Sequence, residues 1–324
     1  MNKNKKIKNT GGHLKMTELR ELQNNVEIVG AIKKIELEEK KSARTGKEFI
    51  AGNVTVEVVE SKDRIHNIRV RVFSNKFKKN GDLNGLYKGY KTVKDEYQPG
   101  DLVRVTGDLR LEEYYSRNNN LVSFNSVSGT FFNRVEDNAE NARHRALATI
   151  ESVIMEIISE TDAEGLPTGN LRVNAFTVGY NGRVIPLNDV IISEQLGEQF
   201  KGMYAPGSTG LITYKINNYA ELSEEEVEQE QAGFGSAARV ETNVVTDFVS
   251  NLEIIGGDLP YSDGVSEYSP LDIEQANKNR ELAKQALMQQ NQAPATPSTP
   301  TGFGNTGTTN ETPVTVTEDD LPDF

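Results

Sequence analysis

The stretch that decides the fold is Ile65-His66-Asn67-Ile68-Arg69-Val70-Arg71-Val72-Phe73, in which apolar and polar side chains alternate. Successive side chains of a β-strand point to opposite faces of the sheet. The period of two therefore predicts an inner, apolar face and an outer face. The inner face holds Ile68, Val70 and Val72, and the outer face holds Arg69, Arg71 and Phe73.

Similar stretches, rich in β-branched residues and punctuated by Gly, Asn and Pro, flank this strand on both sides. They cover residues 26–37, 48–59, 101–111 and 120–132. The polar segment 75–100 lies between the third and fourth strands and is long enough for a short helix. Three strands, a helix and two further strands follow the order of an OB-fold, a small five-stranded barrel that binds oligonucleotides. We therefore predict a mainly β protein with an OB-fold domain over residues 21–140.

Three glycines fall inside the predicted strands rather than between them. They are Gly30, Gly52 and Gly107. Glycine within a strand is typical of a bulge, a tight bend or a close approach of another backbone. This placement suits the strongly coiled strands of a small barrel.

A weaker copy of the same pattern follows the first. Its strands are predicted at 148–158, 170–178, 183–187, 209–217 and 240–255, with a helix at 189–204. The helix again falls between the third and fourth strands, which predicts a second OB-like β domain over residues 145–258. The acidic segment 221–238 reads as a loop that interrupts this copy, and a single α+β domain is the alternative.

The two ends of the chain lack the periodicity of folded elements. Residues 1–20 are polar and basic and are predicted to be disordered, with Met16 as an alternative start. Residues 259–324 are predicted to form a linker with one helix at 271–290, followed by a disordered tail rich in Gln, Pro, Thr, Gly and Asn. The tail ends in an acidic tip with a terminal aromatic ring, Asp319-Asp320-Leu321-Pro322-Asp323-Phe324.

Charge divides the chain into two unlike parts. The net charge is −12, but residues 1–145 hold 28 Lys and Arg against 20 Asp and Glu, and residues 146–324 hold 8 against 28. The sharpest basic concentration is 62–94, with ten Lys and Arg against two Asp. The first part therefore suits a polyanionic ligand despite the acidic total.

Cations interleave with aromatic residues throughout the first domain, which is the combination that single-stranded nucleic acid requires for phosphates and bases. The candidate residues occupy the third strand, the loops after the first and fourth strands, and the segment after the third. They are Lys40, Lys41, Arg44, Lys47, Phe49, Arg69, Arg71, Phe73, Lys76, Phe77, Lys78, Lys79, Tyr87, Lys88, Tyr90, Lys91, Tyr114, Tyr115 and Arg117. The alternative is a solvated basic surface whose rings pack the helical segment against the barrel.

The chain resembles the single-stranded DNA-binding proteins of bacteria and their phages. The resemblance rests on the OB-like pattern over 26–132 and on the tip Asp319–Phe324. In that family the tip docks into basic pockets on replication and repair enzymes. Here Asp323 separates Pro322 from the terminal Phe324, and the second folded domain has no bacterial counterpart, which favours a phage variant.

The expected function is therefore a non-sequence-specific coat on single-stranded DNA during replication, recombination or repair, with partner proteins recruited through the tip. The alternatives are an OB-fold RNA-binding protein, a structural or adaptor protein that binds no nucleic acid, and a carboxylate-dependent nuclease. With no Cys, three scattered His and no complete catalytic motif, we expect no enzymatic activity, no metal and no cofactor. Because no apolar run suits a membrane span or secretion signal, we expect a cytoplasmic protein, in the bacterial host if phage-encoded.

Overall fold

Ten β-strands and three α-helices make up the described part of the chain. The computed structural model describes residues 19–116, 118–136, 142–162, 164–228 and 240–292, and it describes no side chains for 222–228, 240–246 and 290–292. The mainly β prediction is confirmed. Among the described residues, no helix combines the length and apolarity that crossing a membrane requires.

The first five strands and their helix agree with the sequence pattern to within a few residues. They are β1 (Asn24–Lys41), β2 (Glu48–Val59), β3 (Ile65–Asn75), α1 (Gly85–Glu96), β4 (Leu102–Tyr115) and β5 (Leu121–Arg134). The side chain of Asn84 accepts a hydrogen bond from the amide of Leu86 at the start of α1, which satisfies one of the free donors of the first turn.

The second group repeats the same element order. It comprises β6 (Arg145–Thr161), β7 (Pro167–Gly179), β8 (Arg183–Ile192), α2 (Glu194–Met203), β9 (Thr209–Glu228), β10 (Val240–Gly257) and α3 (Pro270–Gln292). Two boundaries differ from our expectation. Residues 189–192 continue β8 instead of opening a helix, and residues 221–228 extend β9 instead of forming a loop, because they pair with β10.

Each group of five strands closes on itself. In the first, β1 pairs with β2 and β4, β2 pairs with β3, and β5 pairs with β3 and β4. The second repeats this order, with β6 paired to β7 and β9, β7 to β8, and β10 to β8 and β9. We call these the first ring and the second ring. Antiparallel pairing of β1 with β6 joins them into one ten-stranded sheet.

The interiors of both rings are filled by branched apolar side chains. In the first ring Val54, Val70 and Val103 are fully buried, and in the second Val173 and Leu187 are fully buried. Burial of each such side chain stabilises the fold by about 1.5–3 kcal/mol relative to its exposed state. The alternation that we predicted for β3 is confirmed, since Ile68, Val70 and Val72 all lie inside.

A buried histidine ties the two rings together. His66, at 1% exposure, accepts a hydrogen bond at Nδ1 from the backbone amide of Asn218, and its Nε2 lies 3.0 Å from Oε2 of Glu60. Lys215 of β9 donates to the other oxygen of Glu60 over 2.6 Å. The turn between β2 and β3 is therefore anchored to β9 by these polar contacts.

The outer surface of β6, β7 and β8 is covered by the chain itself. Phe176, Val178 and Val184 form a second apolar cluster there with Leu22 and Tyr268. The hydroxyl of Tyr268 donates to the carbonyl of Arg20, and Ala276 and Ile273 of α3 join the cluster. Residues 259–292, which we expected to begin the linker and tail, thus pack on the second ring because Tyr268 and the inward side of α3 are apolar.

Candidate nucleic-acid interface

The outer face of β2 and β3 carries a pair of stacked phenylalanines. The two strands are antiparallel, and Ala51 lies opposite Phe73 while Phe49 lies opposite Asn75. Because Ala51 leaves space, the rings of Phe49 and Phe73 meet diagonally, with centroids 5.3 Å apart and planes at 27°. Both rings are half-buried. The Phe49–Phe73 pair is therefore a flat apolar surface open to solvent on a strand face.

Cations border this pair on two sides. Lys40 of β1 lies opposite Phe49 in the β1–β2 register, and the loop that follows carries further cations. The backbone amide of Lys76 donates to the carbonyl of Glu48 over 2.8 Å, which brings the segment after β3 beside that loop. We call the resulting border the basic rim. It consists of Lys40, Lys41, Arg44, Lys47, Lys76, Lys78 and Lys79.

Carboxylates neutralise part of this positive charge. Lys76 Nζ lies 2.6 Å from Oε2 of Glu48, and its ammonium group holds the pKa of that carboxyl below the usual range. Lys40 pairs with Glu38 over 2.9 Å. Arg71, on the outer face of β3, pairs with Glu112 of β4. Arg69 makes no ion pair with any described residue, so the face keeps a net positive charge at this position.

Phe77 extends the aromatic surface beyond the sheet. It forms an isolated bridge with Leu83, its side chain is 52% exposed, and Lys76 Nζ lies 5.6 Å from the ring centroid. A cation at this distance interacts favourably with the ring. Phe77 and Lys76 therefore offer a second place where a base and a phosphate meet protein groups together.

The structure corrects the expectation for two tyrosines. Tyr87 and Tyr90 lie on the inward face of α1 with Val93, at 4% and 3% exposure, and so their rings pack the helix against the first ring. The hydroxyl of Tyr90 donates to the carbonyl of Gly129 over 2.7 Å, and burial raises its pKa. Neither ring is accessible to a base. Lys88 and Lys91 lie on the outward side of the same helix.

Glu39 is the carboxylate that holds α1 in place. Lys94 Nζ lies 2.8 Å and Lys91 Nζ 3.0 Å from its Oε1, and the hydroxyl of Tyr87 donates to its Oε2. Lys94, Tyr87 and Lys91, in that order of effect, lower the pKa of Glu39 from 4.5 to about 2. The hydrogen bond between the Tyr87 hydroxyl and Glu39 raises the pKa of Tyr87 to about 12.

This cluster predicts that Glu39 contributes to the acid dependence of stability. The depressed pKa means that Glu39 stabilises the fold fully above pH 4.5 and loses this contribution as the pH falls toward about 2. We expect the difference in free energy of unfolding between the wild type and Glu39→Gln to shrink over that window. Urea unfolding at stepped pH measures it. A difference that stays constant between these pH values would contradict the assignment.

The β4–β5 hairpin adds a residue that the sequence reasoning missed. Phe124 is 49% exposed and pairs across the hairpin with Glu112, on the same face as Tyr114, which is 36% exposed. Val127 faces inward, and side chains alternate along a strand, so Ser126, Phe124 and Val122 face outward. This alternation was the signal that could have placed Phe124 outside. Tyr115 is half-buried, and Arg117 lies outside the described residues.

The opposite side of this hairpin contacts the second ring. Asn125 Nδ2 donates to the carbonyl of Pro186 over 3.0 Å, and Arg183 donates to the carbonyl of Leu111 over 3.1 Å. Arg280 of α3 forms a bidentate ion pair with Glu113. The hairpin therefore has one face bound to the second ring and one face, with Tyr114 and Phe124, continuous with the outer face of β3.

The solved structures that are similar to this chain include three single-stranded DNA binding proteins. A deletion mutant of the single-stranded DNA binding protein from Thermus aquaticus is 14% identical, with a TM-score of 0.47 over 77% of this chain and 98% of that chain. The wild-type Thermus aquaticus protein is 13% identical, with a TM-score of 0.46 over 75% and 95%. Rim1, a mitochondrial single-stranded DNA binding protein from S. cerevisiae, is 14% identical, with a TM-score of 0.25 over 38% and 100%.

Sequence comparison identifies the chain's family. No curated protein sequence matches it. The family model described as YorF matches residues 23–292, a span that begins just before β1 and ends at the last residue of α3. Both rings and the helix that covers the second are therefore parts of one family unit, and the chain belongs to the YorF family.

Proposed function

We propose that this protein binds single-stranded DNA without sequence specificity through the outer face of the first ring. The observation that carries the proposal is the Phe49–Phe73 pair, a partly exposed stacked surface bordered by the basic rim. Stacking of a base on an aromatic side chain contributes about 1–3 kcal/mol and tolerates every base, because each has a π-face. Cations beside the rings supply the phosphate contacts.

The chemistry of this face favours a single strand over a duplex. A duplex hides its base faces in the stack, whereas an unpaired strand presents them to the rings of Phe49, Phe73 and Phe77. The strand order of each ring, with its helix between the third and fourth strands, supports an OB-type unit. OB-folds bind oligonucleotides through this strand face and the loops that border it. Both features favour the same ligand.

The second ring has a different role in this proposal. Part of its outer surface on β7 and β8, around Phe176, Val178 and Val184, is covered by Leu22, Tyr268 and α3. Phe176, which lies there, is 4% exposed and packs edge-on against Tyr268. We therefore assign DNA binding to the first ring and a supporting role to the second. The second ring contacts the face of the β4–β5 hairpin that is opposite to Tyr114 and Phe124.

The wider role that we propose is stoichiometric and not catalytic. The groups on the candidate face are aromatic rings and cations, which bind a polymer without reacting with it. Coating of single-stranded DNA serves replication, recombination and repair, in a bacterial cytoplasm for a phage-encoded protein. Asp319–Phe324, outside the described residues, would recruit partner proteins through long-range attraction by its carboxylates and anchoring by Phe324.

Fluorescence anisotropy tests the proposal with labelled dT oligomers, matched single-stranded RNA and duplex DNA over a salt series. We expect the full chain to bind dT most tightly, and the logarithm of affinity to fall with the logarithm of salt by about 0.7 per phosphate contacted. Tighter binding to RNA would replace DNA with RNA as the ligand, since only the 2′-hydroxyl distinguishes the two polymers here. No binding to any oligomer would reject the proposal in favour of an adaptor protein.

A further inference from the structure

Arg71 occupies the centre of the candidate face. It lies two residues before Phe73 on β3, and successive residues on one face of a strand are about 7 Å apart. Asn53 of β2 lies opposite it on one side and Ser128 of β5 on the other. Arg71 is therefore the guanidinium on β3 nearest to Phe73, and the first that the phosphates of a DNA strand stacked on Phe73 would meet.

That guanidinium already has an anionic partner. Arg71 Nη1 pairs with Oε2 of Glu112, and the two side chains are 27% and 14% exposed. Ser126 holds the carboxylate from the other side, with its Oγ donating to Oε1 over 3.1 Å. Glu112 is thus held on the same face as the Phe49–Phe73 pair and the exposed Phe124. In the β4–β5 pairing, Glu112 lies opposite Phe124.

We propose that Glu112 occupies the place of a phosphate on Arg71 and lowers the affinity of this face for DNA until a bound strand displaces it. The inference rests on the proposed function and adds the regulation of that site. A phosphate that approaches Arg71 meets both the repulsion of Glu112 and the cost of replacing an existing charge-assisted hydrogen bond. A strand that also stacks on Phe49, Phe73 and Phe124 offsets this cost through several simultaneous contacts.

The consequence is selection for long, flexible, base-exposing polyanions. A small anion, or a duplex that contacts Arg71 alone, gains too little to displace the carboxylate. The same arrangement recurs at the basic rim, where Glu48 holds Lys76 over 2.6 Å. Arg69, which makes no ion pair with any described residue, is a cation that a phosphate can approach without displacing a carboxylate.

The substitution Glu112→Gln tests the proposal, and the chain supplies a matched control. Glu160 of β6 pairs with Arg172 of β7 in the second ring, and these side chains are 15% and 34% exposed, close to the values for Glu112 and Arg71. Glu160→Gln therefore makes the same change in net charge and also releases an arginine, but away from the candidate face. Thermal unfolding of both variants verifies that they remain folded.

We expect Glu112→Gln to bind dT oligomers about three- to tenfold more tightly than wild type at low salt, and Glu160→Gln to change affinity by less than about twofold. The salt dependence of Glu112→Gln should steepen by about 0.7, the value for one added phosphate contact on a single strand. Adding Arg71→Ala to Glu112→Gln should abolish the gain.

Two results would overturn the inference while leaving the proposed function intact. One is equal affinity of Glu112→Gln and Glu160→Gln in a protein whose wild type binds dT. The other is weaker binding by Glu112→Gln, which would mean that Glu112 orients Arg71 toward phosphate instead of competing with it. A wild-type chain that binds no single strand would reject the proposed function, and this inference with it.

Discussion

Alanine at both Phe49 and Phe73 is expected to weaken binding to dT oligomers at least about 30-fold, because two stacked rings contribute at least about 2 kcal/mol together. The pair is half-buried and lies on the outer face, so its removal leaves the interior of the first ring unchanged. Each single variant should lose less than half of this effect, since the two rings touch and one can still receive a base. Anisotropy titrations of the three variants measure these losses.

Phe131→Ala is the matched control for this prediction. Phe131 is a 58% exposed phenylalanine of the same ring, but its neighbour across the sheet is Thr106 of β4 and not a residue of β2 or β3. We expect its affinity to equal that of the wild type. The slope of affinity against salt should be the same in all these variants, because no cation is removed. Equal losses from Phe131→Ala and from the double variant would show that the Phe49–Phe73 pair has no particular role.

The sequence predicted the strands of both rings because each strand has one apolar face. The alternation in β3 placed its inner and outer residues correctly, and the same order of strands and helix occurs twice along the sequence. Residues 221–228 were misjudged because their run of glutamates is unlike a strand with a buried face. Their pairing with β10 satisfies the backbone without needing such a face.

The candidate site was only partly predictable, for two physical reasons. Tyr87 and Tyr90 follow helical spacing, so the interleaving of rings and cations along 86–91 separates into a buried aromatic side and an outward basic side of α1. The ion pairs depend on tertiary structure, because Arg71 and Glu112 belong to strands that meet only through β5. Arg117 and the tip Asp319–Phe324 lie outside the described residues, and their roles stay predictions.

Gly52 and Gly107 are the two glycines of the first ring at which an added Cβ would lie closest to the backbone of a paired strand. Gly52 of β2 lies opposite Leu37 of β1 with a φ of +149°, and a Cβ placed there would lie 1.8 Å from the carbonyl oxygen of Glu36. Gly107 follows a register shift in β4, and its Cβ would lie 1.8 Å from the carbonyl oxygen of Ser128. In both cases the obstacle is the backbone of a paired strand, which cannot move without breaking the pairing.

We therefore expect Gly52→Ala and Gly107→Ala each to lower the free energy of unfolding by about 3 kcal/mol or more, through backbone strain and lost strand pairing. Gly52→Ala should weaken dT binding as well, since Gly52 adjoins Ala51, the residue opposite Phe73. Urea unfolding and anisotropy measure the two effects.

Gly89→Ala is the control, because Gly89 is an exposed position of α1 with no atom within 4 Å of its added Cβ. Alanine there should raise stability by about 1 kcal/mol, since it is the better helix former. If Gly52→Ala unfolds at the same urea concentration as Gly89→Ala, the close approach of β1 to β2 is wrong. The outer face of β2 and β3 would then lose the support that presents Phe49 and Phe73 to a strand.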